Sequence, residues 1–267
     1  MSGPLLRHTW RSYRARLLVV CLALALWGAV LPIIYSQFGA TFRDIFDRGV
    51  FPESFATFGG GDIFSLPGSI ALGFIHPIAL VLVSVFAVGF TTASVAGERQ
   101  RGTLEILLSR PVSRRRAYFT LLVSSLAFVA VAITAFLAGT LASAAAFEVL
   151  GELEPANLPL AWLSGFLMFG SFATIGLAAS VSFDRLAPAV GVTITILLVS
   201  YFLEIIGSLW PDAAFLQPYS LFHYLQTNAI LVGDADPFGF GVLAGVSGVA
   251  ILWALIVFPA RDLAAPA

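Results

Sequence analysis

The sequence predicts an all-α membrane protein with six transmembrane helices. Of its 267 residues, 59% are apolar and 11% are charged, whereas soluble domains have roughly 45–50% and about 25%. The apolar residues form six long stretches, and the charged residues lie mainly between them. A helix needs about 20 apolar residues to cross a bilayer, so six crossings occupy most of the chain. We therefore predict one transmembrane domain over 1–267, without a separate soluble catalytic domain.

The six stretches give the positions of the transmembrane helices. By length and composition, the predicted spans are 17–36, 70–96, 118–147, 158–183, 186–209 and 238–258. The third stretch is longer than a bilayer requires, which predicts a helix that tilts or projects into the cytoplasm.

Two amphipathic segments flank the first span. Residues 4–16 alternate apolar side chains with arginines at helical spacing, which predicts a helix on the cytoplasmic leaflet with Trp10 at the lipid headgroups. The alternative is a positively charged flank without such a helix. Phe38, Phe42 and Phe46 recur every four residues beside charged side chains, which predicts a second interfacial helix on the outer surface.

The segment 211–237, between the fifth and sixth spans, is aromatic and carries few charges. A free aqueous loop seldom exposes so much apolar surface. We predict that this segment folds back against the spans as a cap or a partly re-entrant helix.

The arginines predict the orientation. Twelve of the fourteen lie on the side of the two termini, and Arg43 and Arg48 lie on the other. Because cytoplasmic loops are enriched in arginine, we predict a multi-pass protein of the plasma membrane with both termini in the cytoplasm.

Two scarce residue types exclude several kinds of chemistry. The chain has no lysine, which excludes a Walker A phosphate loop and a lysine Schiff base. If ATP drives this protein, ATP and Mg²⁺ bind a separate chain, and we expect no cofactor here. The single cysteine, Cys21, lies in the first span and is interpreted as a packing residue. The expected partners are other proteins and the lipid bilayer, without nucleic acid.

One dense charged block, 97–116, separates the second and third spans. It holds six arginines and two glutamates, so it must lie in water. Gly97 or Gly102 permits a sharp bend as the chain leaves the membrane, residues 103–109 can form a short helix, and Pro111 ends that helix. The block therefore predicts a short helix at the membrane surface.

The short helix has an apolar face, formed by Leu104, Leu107 and Leu108. This face indicates that the short helix binds in a groove on a soluble protein. The alternative is a solvated turn enriched in arginine. Ser113 is predicted to cap the third span, and residues 114–116 to hold its end at the headgroups.

The block resembles a known cytoplasmic signature. Its residues GERQRGTLEILLSRPVSR, at 97–114, are similar to the motif of type 2 ATP-binding cassette (ABC) permeases. Residues 218–224 and 258–263 resemble further parts of that family, as do the six spans and the cytoplasmic termini. The resemblance implies a membrane subunit that pairs with a second permease subunit, identical or related, and with two cytoplasmic ABC ATPase subunits.

The resemblance also implies that the block is the coupling helix, which makes mechanical contact with the ATPase and has no catalytic residue. The motif carries this role over to Glu98, Gly102, Thr103, Glu105 and Pro111. Four neighbours complete the expected contact surface: Arg101, Leu104, Leu108 and Arg110.

Glu204 is the only charged residue inside a predicted span. Because an acid in a bilayer is costly, it is a candidate for the substrate path; the alternative is a structural hydrogen bond. His76 enters the second span at a similar depth, next to Pro77, and the two side chains can pair if their helices touch. A histidine without other ligands is more often packed than metal-bound, so we predict no metal site.

The sequence leaves several functions open. The family resemblance favours export of an amphiphilic or hydrophobic substrate. The alternative is a permease that transmits ATP-driven motion to an extracytoplasmic maturation system, as in the copper-enzyme assembly relatives. An intramembrane enzyme would use Glu204 and His76 as acid and base, but no metal, serine–histidine or paired-aspartate motif supports it. A channel needs a repeated polar ring, which the spans lack.

Overall fold

The computed structural model describes residues 3–49, 55–56, 61–103 and 113–261, and the regular elements in these ranges are all helical. Within them, five helices are long and apolar enough to cross a membrane, and one bent helix pair makes a sixth if its two helices form a single span. The prediction of an all-α, multi-pass membrane protein is confirmed at this level.

The first span belongs to a helix that is longer than predicted. Helix α1 runs without interruption through Gly3–Asp47, 45 residues, or about 67 Å at 1.5 Å per residue. The structure therefore has no separate interfacial helix at 4–16 or at 38–46, because no break divides these segments from the span. An amphipathic pattern predicts a buried face but does not say whether lipid or protein covers it.

Near its start, α1 packs on protein. The ring of Trp10 lies 4.9 Å from that of Phe128, and the ring of Tyr13 lies 4.9 Å from that of Phe90. Thr9, on the same turn, is 6% exposed. Trp10, predicted to lie at the headgroups, therefore contacts the helix bundle.

The second span is bent by 48° at His76. Helix α2 covers Leu66–Ile75 and helix α3 covers Pro77–Ser84. Pro77 has no N–H and disfavours the helical conformation in the residue before it, and His76 is accordingly extended, with φ −66° and ψ 140°. The imidazole Nδ1 of His76 then accepts a hydrogen bond from the Ile78 N–H at 3.3 Å. The single span predicted at 70–96 is thus two helices joined at a kink.

Beyond α3, the chain stays helical but is locally wider. Two π-helical turns, Val85–Phe90 and Ala93–Gly97, precede a last α-turn at Glu98–Gln100. Insertions of this kind free backbone groups from the regular hydrogen-bonding pattern. The second span therefore reaches the charged block as an irregular helix.

The other four long helices follow the predicted spans to within a few residues. They are α4 (Arg114–Ala146), α5 (Leu158–Ser182), α6 (Leu186–Leu209) and α8 (Pro237–Ala260). Helix α4 has 33 residues, about 50 Å, in keeping with its excess length. Ser113 caps it as predicted, and its hydroxyl accepts a hydrogen bond from the Arg116 N–H at 3.3 Å.

The segment between α6 and α8 folds back on the bundle, as its aromatic composition predicted. It contains short helices at Pro211–Tyr219 and Phe222–Leu225, followed by α7 (Thr227–Leu231). Ser220 donates its hydroxyl to the Ser200 carbonyl of α6 at 2.8 Å. Phe222 and Leu225 are each 3% exposed, so this part of the segment belongs to the packed core.

Helices α1 and α4 pack most extensively of all the described pairs, and glycine permits their close approach. A Cβ atom at Gly139 would lie 2.0 Å from the Ala25 carbonyl oxygen, and one at Gly28 would lie 2.3 Å from that of Phe136. Small residues let helix backbones meet closely in membranes, where packing replaces the hydrophobic effect as the source of association.

Replacing Gly139 with leucine should therefore destabilise the bundle. The side chain has no space, and overpacking typically costs about 1–3 kcal/mol. The measurement is the thermal unfolding midpoint of the purified protein in detergent. Gly241→Leu is the matched control, because a Cβ atom at Gly241 in α8 meets no atom within 4 Å. Equal midpoints for the two variants would contradict the close approach.

Candidate functional site

The charged block begins where the second span ends, and only part of it is described. Glu98, Arg101, Gly102 and Thr103 lie in the described range 61–103. The other predicted contact residues lie outside the described residues: Leu104, Glu105, Leu108, Arg110 and Pro111. The coupling helix itself therefore stays a prediction, whereas the structure describes the residues on both sides of it, up to Thr103 and from Ser113 onward.

The block starts with a helix C-terminus that is capped by hydrogen bonds around Gly102. Gly102 has φ +70°, a left-handed conformation that glycine adopts without strain. Its N–H donates to the Arg99 carbonyl at 3.0 Å, and the Thr103 N–H donates to the Glu98 carbonyl at 3.0 Å. This pair of bonds is the Schellman arrangement, which satisfies carbonyls at a helix C-terminus.

Hydrogen bonds also join the side chains of this turn. The Glu98 carboxylate accepts hydrogen bonds from the Arg101 guanidinium and, at 2.5 Å, from the Thr103 hydroxyl. The four predicted contact residues that the structure describes, Glu98, Arg101, Gly102 and Thr103, therefore form one local unit. The unit ends the second span and sets the direction in which the chain leaves it.

A single carboxylate connects this unit to two other parts of the chain. Asp184 lies between α5 and α6, and its Oδ1 is 2.9 Å from Arg99 Nη1 and 2.5 Å from Arg261 Nη2. The Arg99 side chain is 10% exposed, so its charge needs compensation by anionic or acceptor groups. Arg261, which follows α8, also donates to the Val181 carbonyl at 3.1 Å.

Residues on both sides of the undescribed stretch 104–112 cap neighbouring helices. The Gln100 side-chain oxygen accepts the Leu186 N–H at the start of α6, at 2.8 Å. Arg114 Nη1 donates to the carbonyls of Pro259 and Arg261 at the end of α8, at 3.0 and 2.7 Å. Arg114, predicted to lie at the headgroups, caps α8. We call this group the Asp184 network: Arg99, Gln100, Arg114, Asp184 and Arg261.

Ser180 attaches the irregular helix to α5. The Ser180 hydroxyl accepts the N–H groups of Val95 and Ala96 at 3.1 and 2.9 Å, and donates to the Thr92 carbonyl at 2.7 Å. Because Ser180 is 0% exposed, water cannot replace these bonds. The π-helical turn next to the block is therefore held by one buried hydroxyl.

Sequence reasoning missed Asp184, Gln100 and Ser180 as site residues. Their partners lie at least 77 residues away in the chain, so no local pattern marks them. The charged pair Asp184 and Arg185 in a turn of three residues between two spans was the one available signal.

The two candidate substrate-path residues line different cavities. The ring of His76 lies 4.4 Å from that of Trp27, at an angle of 33°, and lines an apolar cavity of about 410 Å³ between α1 and α2. Glu204 lines a cavity of about 200 Å³ and interacts electrostatically with His223. Within the described residues, no hydrogen bond or ion pair joins Glu204 to His76, so the structure does not support the hypothesis of an acid–base pair.

The comparisons with known proteins bear on the whole chain. No match was found among curated proteins. A family model described as ABC-2 family transporter protein matches residues 6–263. The predicted membership of the type 2 ABC permease family is thereby confirmed. The matched range covers all six crossings and the Asp184 network, and this multi-pass membrane chain therefore belongs to the ABC-2 transporter family.

Proposed function

We propose that the chain is the permease subunit of an ATP-driven exporter, coupled through residues 97–116 to a separate ATPase chain that binds ATP and Mg²⁺. Family membership supports the permease role, and permeases of this family typically work with an ATPase subunit. The observation that carries the coupling proposal is the Asp184 network, which joins both sides of the block to the ends of α5, α6 and α8.

The Asp184 network can transmit a force on the charged block to the helix bundle. Arg99 and Gln100 precede the proposed docking helix, and Arg114 follows it. A displacement of that helix pulls on Asp184 through Arg99, on the start of α6 through Gln100, and on the end of α8 through Arg114. Helices are stiff, so motion at their ends becomes tilting of the spans, as alternating access requires.

The proposed docking helix, 103–109, has the composition of a protein contact. Leu104 and Leu108 lie on one face, and Glu105 and Arg110 supply polar contacts beside it. An apolar stripe with charged edges suits a groove on a soluble partner, where the apolar residues supply affinity and the charges orientation.

An amphiphilic or hydrophobic substrate, moved outward, suits the apolar cavity between α1 and α2. Its wall includes Trp27, Phe42, Phe64 and His76, and a volume of about 410 Å³ lies in the range of roughly 300–1,000 Å³ of small-molecule sites. This cavity places His76 on a candidate substrate path.

We further propose the plasma membrane as the location, with the charged block and both termini in the cytoplasm, as the arginine distribution favours. A second permease subunit completes the assembly, as the family resemblance implies. The surfaces of α6 and α8 expose large apolar side chains, among them Phe202 and Trp253, and such surface is suited to lipid and to a membrane partner.

Copurification tests the proposed function. Tagged protein is extracted from its native membranes in mild detergent, and the accompanying proteins are identified by mass spectrometry. We expect an ABC ATPase at a fixed stoichiometry and ATP hydrolysis by the complex. Recovery of the chain without any ATPase, from membranes that contain one, would reject the coupling role and reopen the channel and enzyme hypotheses.

A further inference from the structure

Aromatic rings form much of the wall of the cavity between α1 and α2, which we call the aromatic cavity. Its volume is about 410 Å³, and six of its fourteen described lining residues are aromatic: Trp27, Tyr35, Phe42, Phe46, Phe55 and Phe64. None of these six side chains is fully buried. Their rings therefore keep accessible surface that a bound molecule can cover.

The lining of the aromatic cavity has no positive charge. Among the described residues that line it, none is an acid or an arginine. His76 is kept neutral by a hydrogen bond, because its Nδ1 accepts the Ile78 N–H at 3.3 Å and a ring nitrogen that accepts has no proton. The faces of aromatic rings attract cations. One ring of the wall already does so, since the Arg43 guanidinium lies over Phe64, 5.5 Å from the ring centroid.

The charged groups beside the cavity leave one negative charge uncompensated. Tyr35 interacts electrostatically with Glu152, Arg43 and Asp62. Arg43 Nη2 lies 2.5 Å from Asp62 Oδ2, so these two charges compensate each other. Glu152 forms no ion pair with any described residue. Its Oε2 instead accepts the Tyr35 hydroxyl at 2.6 Å, which places a carboxylate one hydrogen bond from a ring of the cavity wall.

We propose that the aromatic cavity binds a lipophilic cation, an organic ion whose positive charge is surrounded by apolar groups. The rings supply apolar contact and cation–π attraction, and Glu152 adds attraction for positive charge. A small hydrated cation does not fit this chemistry, because an apolar wall cannot replace its hydration shell. The inference rests on the proposed function, since it names the substrate class of the same cavity, but binding itself requires only the permease chain.

Tetraphenylphosphonium and tetraphenylborate test the proposal, because the two ions have nearly the same size and shape but opposite charges. The purified protein in detergent is dialysed to equilibrium against the same detergent without protein, and affinities are calculated from the free aqueous concentration of each ion. We expect saturable binding of the phosphonium ion, at least about tenfold tighter than that of the borate ion. Equal affinities, tighter binding of the borate ion, or no saturable binding of either would overturn the proposal.

Glu152→Gln removes the charge and keeps an acceptor for the Tyr35 hydroxyl. Because Glu152 is exposed, solvent screens its charge, and phosphonium binding should weaken only about threefold. Borate binding should not weaken, since loss of a negative charge favours an anion. Glu154→Gln is the matched control, an exposed acid two residues further along the chain. Equal weakening of both ions, or no change in phosphonium binding, would contradict the role of Glu152.

Phe42→Leu tests the contribution of a ring. Phe42 lines the cavity and is 49% exposed, so the variant should fold. The change keeps an apolar side chain and removes the aromatic face, which should weaken phosphonium binding about threefold to tenfold. Phe38→Leu is the control, because Phe38 lies one turn earlier on α1, is 52% exposed and does not line the cavity. Equal losses in the two variants would place the ion on the helix surface and overturn the proposal.

The copurification and the ion titration can fail separately. If an ABC ATPase copurifies but the phosphonium ion does not bind, the permease role stands and the inferred substrate class is wrong. If the phosphonium ion binds with the expected preference but no ATPase is recovered, the cavity is a cation site and the coupling role is rejected. When both succeed, the phosphonium ion should stimulate ATP hydrolysis by the complex, and the borate ion should not.

Discussion

Replacing Glu105 with arginine and Leu108 with aspartate is expected to release the permease from its ATPase. The first change reverses a charge at the proposed contact, and the second places a carboxylate where an apolar side chain is to be buried. Loss of an interface anchor costs about 2 kcal/mol or more, so the pair of changes should reduce ATPase recovery at least about 100-fold.

The measurement is copurification from native membranes, with the ATPase quantified by mass spectrometry. Both substitutions fall in the charged stretch of sequence between the second and third spans, so the thermal unfolding midpoint of the spans should not change. The matched control makes the same residue changes at exposed positions of the opposite end, Glu148→Arg with Leu150→Asp, and should retain the ATPase. Normal recovery with the first double variant would contradict the docking role of 103–109.

Asp184→Asn is expected to separate ATP hydrolysis from movement of the spans. The amide keeps the shape of the side chain but removes the charge that Arg99 and Arg261 share. Because Asp184 is 47% exposed, solvent screens these pairs, and we expect a stability loss of only about 1 kcal/mol. The larger effect is mechanical, since the block loses its charged connection to the α5–α6 turn and to the end of α8.

A single-cysteine variant measures this effect. In a Cys21→Ser background, Tyr219→Cys places a thiol on the exposed folded-back segment, where Tyr219 is 77% exposed. With Asp184 in place, ATP should change the rate at which a thiol reagent labels this cysteine. With Asp184→Asn, ATP hydrolysis should continue, but ATP should no longer change the labelling rate.

Asp44→Asn is the control for Asp184→Asn, because Asp44 forms an exposed pair with Arg48 one helical turn away. It should leave both ATP hydrolysis and the labelling change intact. An unchanged response of Tyr219→Cys in the Asp184→Asn variant would mean that the network has a structural role only.

Much of the helical framework could be predicted because membrane helices are recognised from local composition. The fifth span was predicted at 186–209, and α6 covers Leu186–Leu209, since apolar length and flanking polar residues both lie in one stretch of chain. The cap at Ser113 and the turn at Gly102 were also local. Both depend on residues within a few positions of each other, as helix ends do.

Predictions that required knowledge of what covers a helix face were less successful. The pattern at 4–16 indicated a face to be buried, but Trp10 packs on Phe128 of α4. Arg114 was predicted at the headgroups and caps α8. In both cases the sequence indicated the kind of contact correctly, apolar for Trp10 and polar for Arg114, but the contact is with another part of the bundle.

Composition and the order of residues were sufficient to predict the membrane class, the positions of the spans and the charged block between the second and third of them. The hydrophobic effect is not directional, so the burial of an apolar stretch can be predicted from its composition. Three features became known only from the packing of the helices: Asp184 joins Arg99 to Arg261, Ser180 holds the π-helical turn, and Glu204 and His76 line separate cavities. Hydrogen bonds and ion pairs are directional and short, so their partners depend on how the helices pack together, which no local stretch of sequence specifies.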